Sequence, residues 1–180
     1  MIKLSKYFYN KCEEFANLQV QNSSRLYKHR GEPRVEKIIQ DIIVGKLGEV
    51  AAYQYLIDRG YKVKKPDFEI YETRRKSYGA DLVTDCGLNV HVKSQSQDSR
   101  KKYGSSWLFQ KSDSLVKLPQ DDDYILMVSV ENLEADILGI VRAEDLLEVY
   151  AEPKVFRYKH TKRALYLDDI IDNDIDMEAL

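Results

Sequence analysis

The sequence predicts an α/β protein, with a mixed central sheet flanked by helices and a helical extension in front of it. Three stretches carry that prediction. Residues 35–59 place apolar side chains at helical spacing, Ala80–Lys93 reads as two short strands joined by a turn, and Tyr124–Val130 (YILMVSV) is an apolar run of strand length. With 180 residues, 43% of them apolar, the chain is long enough for one domain with a substantial core.

In chain order, Leu4, Tyr7, Phe8, Phe15 and Leu18 mark an amphipathic helix over residues 4–20. Gln21–Pro33 is polar and holds Asn22-Ser23-Ser24, Gly31 and Pro33, the composition of a loop or a broken helix. A long helix follows. Val35, Ile38, Ile39, Ile42 and Ile43 open its stripe, Leu47, Val50, Ala51 and Leu56 continue it, and Gly60 stops it. Gly45 and Gly48 would kink this helix or let it approach the sheet closely.

Tyr61-Lys62-Val63 is an expected first strand and Asp67–Tyr71 an edge strand, with Asp67 itself a turn residue. Trp107, Leu108 and Phe109 read as core. Asp121-Asp122-Asp123 reads as a solvated acidic turn, because three adjacent acids fan apart. Tyr124–Val130 is a central buried strand, Ile137–Val141 a further strand and Ala143–Tyr150 a short helix. Arg157–Arg163 (RYKHTKR) is a basic stretch expected as an exposed strand or loop suited to phosphate contacts. No internal repeat or linker appears. The expected organisation is an extension at 1–34, a core at 35–167 and an acidic tail at 168–180.

The formal net charge of −2 hides an asymmetry. Residues 1–167 hold all 28 bases against 24 acids, a net of +4, and the last 13 residues hold the other six acids and no base. A mildly basic body is compatible with nucleic acid as a partner. The tail is expected to be a disordered or loosely docked end, with a helix packed by Ile170, Ile171, Ile175 and Met177, or a charge mimic over the basic surface, as the alternatives. No apolar run approaches the roughly 18 residues of a membrane span, and no signal-peptide pattern opens the chain, so a cytoplasmic protein without a membrane partner is expected. The two cysteines, Cys12 and Cys86, make no disulfide framework. Neither cysteines nor histidines show a zinc-ligand spacing.

The chemistry is concentrated in Gly79–Gln95 (GADLVTDCGLNVHVKSQ). Ala80–Thr84 and Leu88–Lys93 flank the turn residues Asp85-Cys86-Gly87. Leu88, Val90 and Val92 share one face of the second strand, which leaves Asn89, His91 and Lys93 on the other, with Gln95 following in phase. Asp81 lies across the hairpin. An acid, a second ligand-type residue and a lysine on one side of a small sheet can hold a divalent metal beside a phosphate and a water.

The pattern Asp-x9-His-x-Lys-x-Gln resembles the core of the PD-(D/E)XK nucleases, with His91 where that family usually has Glu or Asp. The helix segment Gly45-Lys46-Leu47-Gly48-Glu49 is similar to the upstream element that supplies an acid in that family. The resemblance covers roughly residues 35–130. It implies a restriction-endonuclease-like αβββαβ core and metal-dependent hydrolysis of DNA phosphodiesters, of a restriction, resolvase or mobile-element kind. It further implies Mg²⁺ or Mn²⁺ held by Asp81, the group at His91 and Glu49. Lys93 would orient or help deprotonate the water, and Gln95 would bond a water or a phosphate oxygen.

An imidazole favours softer ions, so Mn²⁺ is expected to support activity better than Mg²⁺. His91 would serve through its ring or its carbonyl, or act as the base. Arg74-Arg75-Lys76 and Arg100-Lys101-Lys102 are the expected backbone-phosphate contacts. Many similar nucleases are dimers, so a homodimer is compatible with this reading. The rival reading is a catalytically silent nucleic-acid-binding or assembly protein that retains the nuclease fold, and His91 is the feature that favours it.

Overall fold

The computed structural model describes residues 1–29, 34–70 and 79–180. It is an α/β structure built on a mixed five-stranded sheet. The helices come first. Helix α1 (Lys6–His29) buries Cys12, Ala16 and Val20, one residue per turn, against α2 (Val35–Asp58). Of the stretch Gln21–Pro33, expected as a loop or a broken helix, the part up to His29 continues α1, and residues 30–33 lie outside the described residues. Asn22 stays in the helix, with its Nδ2 donating to Leu18 O at 3.0 Å. Helix α2 ends where the sequence places its stop, at Arg59 and Gly60, with Gly60 at φ +89°.

The main sheet has the order β1-β6-β5-β3-β2. Its strands are β1 (Ile2–Lys3), β2 (Leu82–Val83), β3 (Asn89–Ser96), β5 (Asp123–Glu131) and β6 (Glu134–Arg142). β5 is central and nearly all buried, as its composition predicts. It runs parallel to β3 and antiparallel to β6, and the hairpin partners β2 and β3 are antiparallel. A second, two-stranded ribbon pairs β4 (Ser106–Gln110) with β7 (Lys162–Tyr166). Short helices α3 (Gln97–Tyr103), α4 (Ser114–Lys117) and α5 (Leu167–Asp172) complete the structure.

Strand alternation divides the apolar residues between two cores. On one face of the sheet Val90, Val92, Leu126 and Val128 meet Leu47, Val50 and Ala51 of α2. On the other Ile125, Met127 and Val141 meet Trp107, Phe109 and Leu165 of the ribbon. Gly48 is where α2 crosses β3: a Cβ placed there would stand 1.8 Å from Ser94 Oγ. Gly45, by contrast, has open space around it.

Several sequence expectations are corrected. Residues 61–63 contribute a single bridge, Val63 to Thr84, rather than a strand. Residues 67–70 form no strand, because Asp67 Oδ1 takes the Glu69 N–H at 2.8 Å and turns the chain, in keeping with Asp67 as a turn residue. Tyr71 lies outside the described residues. In place of a helix over 143–150 there is one 3₁₀ turn at Glu144–Leu146. Leu108 is exposed while Trp107 and Phe109 are core, as the alternation of a strand requires.

The acidic tail is docked, not loose. Ile170 is fully buried, Ile140 N donates to Met177 O at 2.9 Å and Ala179 N to Ile140 O at 3.0 Å. The tail thus pairs with β6 beyond β1, with Ile170, Ile175 and Met177 turned inward and Ile171, Asp172, Asp174, Asp176 and Glu178 turned to water.

Candidate active site

The site is built on the β2–β3 hairpin. Leu82 pairs with Val90, so one step further along the ladder Asp81 lies across from His91. Its Oδ2 accepts the Val92 N–H at 2.8 Å, taking the place a main-chain carbonyl of a longer β2 would fill. That substitution accounts for a strand of only two residues where the sequence predicts five. Asp81 is solvent-exposed, and its second oxygen, Oδ1, has no partner among the described residues.

His91 and Lys93 project from β3 away from α2, on the side of the ribbon. His91 Nε2 lies 3.2 Å from Oδ1 of Asp123, the first residue of β5, and both side chains are largely buried. The other oxygen of Asp123 accepts the Gln120 N–H at 2.9 Å. An ionised carboxylate can only accept, so this contact places a proton on Nε2, and in the neutral ring Nδ1 is the nitrogen that carries the lone pair. No described residue bonds Nδ1. Lys93 Nζ lies 4.8 Å from the centre of the Phe109 ring, a favourable place for a cation over a π face.

Gln95 is engaged elsewhere. Its Nε2 donates to Gly104 O at 2.9 Å and its Oε1 accepts the Ser106 N–H at 3.2 Å, so both ends of the amide pin the start of β4 to β3. Glu49 lies on α2 as predicted, but its Oε2 is 2.6 Å from Lys46 Nζ, which also donates to Asp67 O at 2.8 Å. Lys46 stands over the rings of Phe15 and Phe68, so this ion pair sits at the contact of α1, α2 and residues 67–68. Glu49 also adds to burial in raising the thiol of Cys12 on α1.

The structure therefore places Asp81, His91 and Lys93 on one hairpin and gives Gln95 and Glu49 other partners. Among the described residues no three His, Cys, Asp or Glu side chains gather into a metal-binding group. The unengaged donors are one carboxylate oxygen and one imidazole nitrogen. That set fits an ion that keeps several waters and takes further oxygens from a substrate phosphate, and its nitrogen favours Mn²⁺. It does not fit a cage made by protein alone.

Of the two basic clusters, Arg74-Arg75-Lys76 lies outside the described residues. Arg100-Lys101-Lys102 forms the last turn of α3, just beyond β3. Arg100 Nε donates to Ser105 Oγ at 3.0 Å, Lys101 approaches Glu131 at 4.0 Å, and Lys102 lies over the Tyr103 ring.

Asp123 is the residue the sequence reading missed. Its neighbours suggest a solvated turn, yet counting back by two from Met127 and Ile125 places it on the His91 face of the sheet. Comparison of the chain with protein-family models, with curated proteins and with solved structures gives no significant match.

Proposed function

We propose that this chain is a divalent-metal-dependent nuclease that hydrolyses phosphodiester bonds in DNA. One observation carries the reading: Asp81 lies against β3 at Val92, between His91 and Lys93 in sequence, although it comes from the other arm of the hairpin. The order of helix α2, the bridge at Val63, hairpin β2–β3, helix α3 and parallel strand β5 supports a PD-(D/E)XK-like core.

Asp81, through Oδ1, and His91, through Nδ1, would hold the cation. The cation, when bound, supplies a polarised phosphoryl oxygen and a water of lowered pKa. Asp123 keeps the His91 ring in one orientation and one tautomer. Lys93 places a positive charge beside the attacked phosphorus, where negative charge grows in the transition state, and orients the water. Gln95 acts at one remove, by fixing the β4 segment whose Phe109 carries Lys93. Glu49 has no part in this reading beyond the packing of α2 on α1.

The retained but silent fold is the second reading. It is favoured by the Lys46–Glu49 pair and by the engagement of Gln95, which leave one carboxylate on the hairpin. Incubating supercoiled plasmid with wild-type chain in Mg²⁺ and in Mn²⁺ separates the two. Nicked or linear product, more of it with Mn²⁺, is expected; DNA binding without any product under either ion would establish the silent reading.

A further inference from the structure

Among the described residues, two cations meet the second core without a counter-charge. Lys93 is half-buried and has the Phe109 ring beside it, but no carboxylate partner among the described residues. Arg163 on β7 is the other. It pairs with Phe109 across the ribbon, and directly opposed residues of an antiparallel pair project to the same face. Trp107 and Leu165, the next such pair in phase, are both buried against the main sheet, which fixes that face as the one looking toward β3 and β5. Arg163 is half-buried there and makes no hydrogen bond, ion pair or ring contact with any described residue.

Its neighbours differ. Arg157 bonds the Tyr158 hydroxyl, Lys159 pairs with Glu152 at 3.3 Å, and Lys162 lies over the Tyr158 ring. Of the basic stretch Arg157–Arg163, therefore, the base on the face toward the candidate site is the one without a partner among the described residues. A guanidinium withdrawn from water without an acceptor is costly, and a protein retains one where an anion completes it.

The geometry points to Arg163 as a phosphate-binding residue of the site, acting with Lys93 on the ribbon face that carries Phe109 to grip one phosphodiester of the substrate. This rests on the nuclease reading, since it takes the bound anion to be a DNA phosphate. The guanidinium offers two parallel N–H groups to two phosphate oxygens, and the ammonium a compact charge to the same group. Arg163 thereby binds and positions substrate, while Lys93 faces the reacting phosphorus.

The test is the salt dependence of binding, measured by fluorescence anisotropy with a labelled 30-base-pair duplex and no divalent ion. Removing one phosphate contact should lower the slope of log K against log salt by about 1. Arg163→Gln and Arg163→Met, the second keeping the apolar stem, should both show that loss and weaker binding. Arg163→Lys should keep the wild-type slope. Arg157→Gln, which alters an exposed base already bonded to Tyr158, should keep it too. Wild-type binding with both neutral Arg163 variants at the wild-type slope and affinity would overturn the assignment and leave the nuclease reading standing. A wild-type chain that binds no DNA even at low salt would overturn both.

Discussion

His91 Nε2 stands 3.2 Å from Asp123 Oδ1, joining residues 32 positions apart across the parallel pair β3–β5. The contact decides which ring nitrogen is offered outward. Asp123 cannot donate while ionised, so the neutral His91 ring carries its proton on Nε2 and presents Nδ1 as an acceptor.

Two-bond ¹H–¹⁵N spectra of the ring should show His91 as the Nε2–H tautomer in the wild-type chain without metal. Asp123→Asn should invert it. The Gln120 N–H needs the single oxygen of the new amide, which leaves the NH₂ group facing the ring. Nε2 must then accept, and the proton moves to Nδ1. The same tautomer in both proteins would show that Asp123 does not orient the ring.

Gly48 gives a test in which two effects oppose each other. Ala is a better helix former than Gly by about 1 kcal/mol, so α2 taken alone gains from Gly48→Ala. In the folded chain the new Cβ would meet Ser94 Cβ at 2.9 Å even if the hydroxyl rotated away. Overpacking of this kind costs about 1–3 kcal/mol, so the close contact should win and the urea midpoint should fall. Ser94→Gly in the same chain should recover part of the loss. A midpoint equal to or above wild type would mean that α2 does not approach β3 this closely.

Cys12 and Cys86 should differ in reactivity. Cys12 is fully buried under α2, and burial, reinforced by the nearby Glu49 carboxylate, pushes its thiol up to about 12, whereas Cys86 is exposed in the hairpin turn. Titration with a thiol-reactive disulfide at pH 8 should find one equivalent in the native chain and two in denaturant. The linkage has a definite sign. The folded state holds the Cys12 proton above the pH at which the unfolded chain releases it. The stabilisation is therefore present below the ordinary thiol range and is lost as pH rises from about 9 to about 12. Two fast equivalents in the native chain would contradict the burial.

What the sequence disclosed depended on how many residues spoke together. The stripe of α2, the alternation of β3 and the apolar run of β5 each rest on five or more side chains, and all three elements form. Asp81 and Lys93 were legible because the turn residues Asp85-Cys86-Gly87 set the register between them. Glu49 shows the limit. Its helix was legible, but α2 is covered on two sides, by the sheet and by α1, and an apolar stripe that wide cannot say which flank an acid at its border faces. Asp123 was hidden by Asp121 and Asp122, whose composition suggests solvent. The docking of the tail was legible only in part: Ile170, Ile175 and Met177 pack into the second core, but the main-chain bonds to Ile140 are encoded by no side-chain pattern.

The central claim, that Asp81 and Lys93 serve one phosphodiester site in different roles, is tested most directly by two substitutions read on two assays. Plasmid cleavage in Mn²⁺ reports turnover, and the electron paramagnetic resonance of Mn²⁺ titrated into the chain reports ion binding. Asp81→Ala should lower both cleavage, by about 10²-fold or more, and Mn²⁺ affinity, while Lys93→Ala should lower cleavage comparably and leave Mn²⁺ affinity near wild type. A wild-type chain that cleaves DNA, with Asp81→Ala cleaving as fast and binding Mn²⁺ as tightly, would contradict the account.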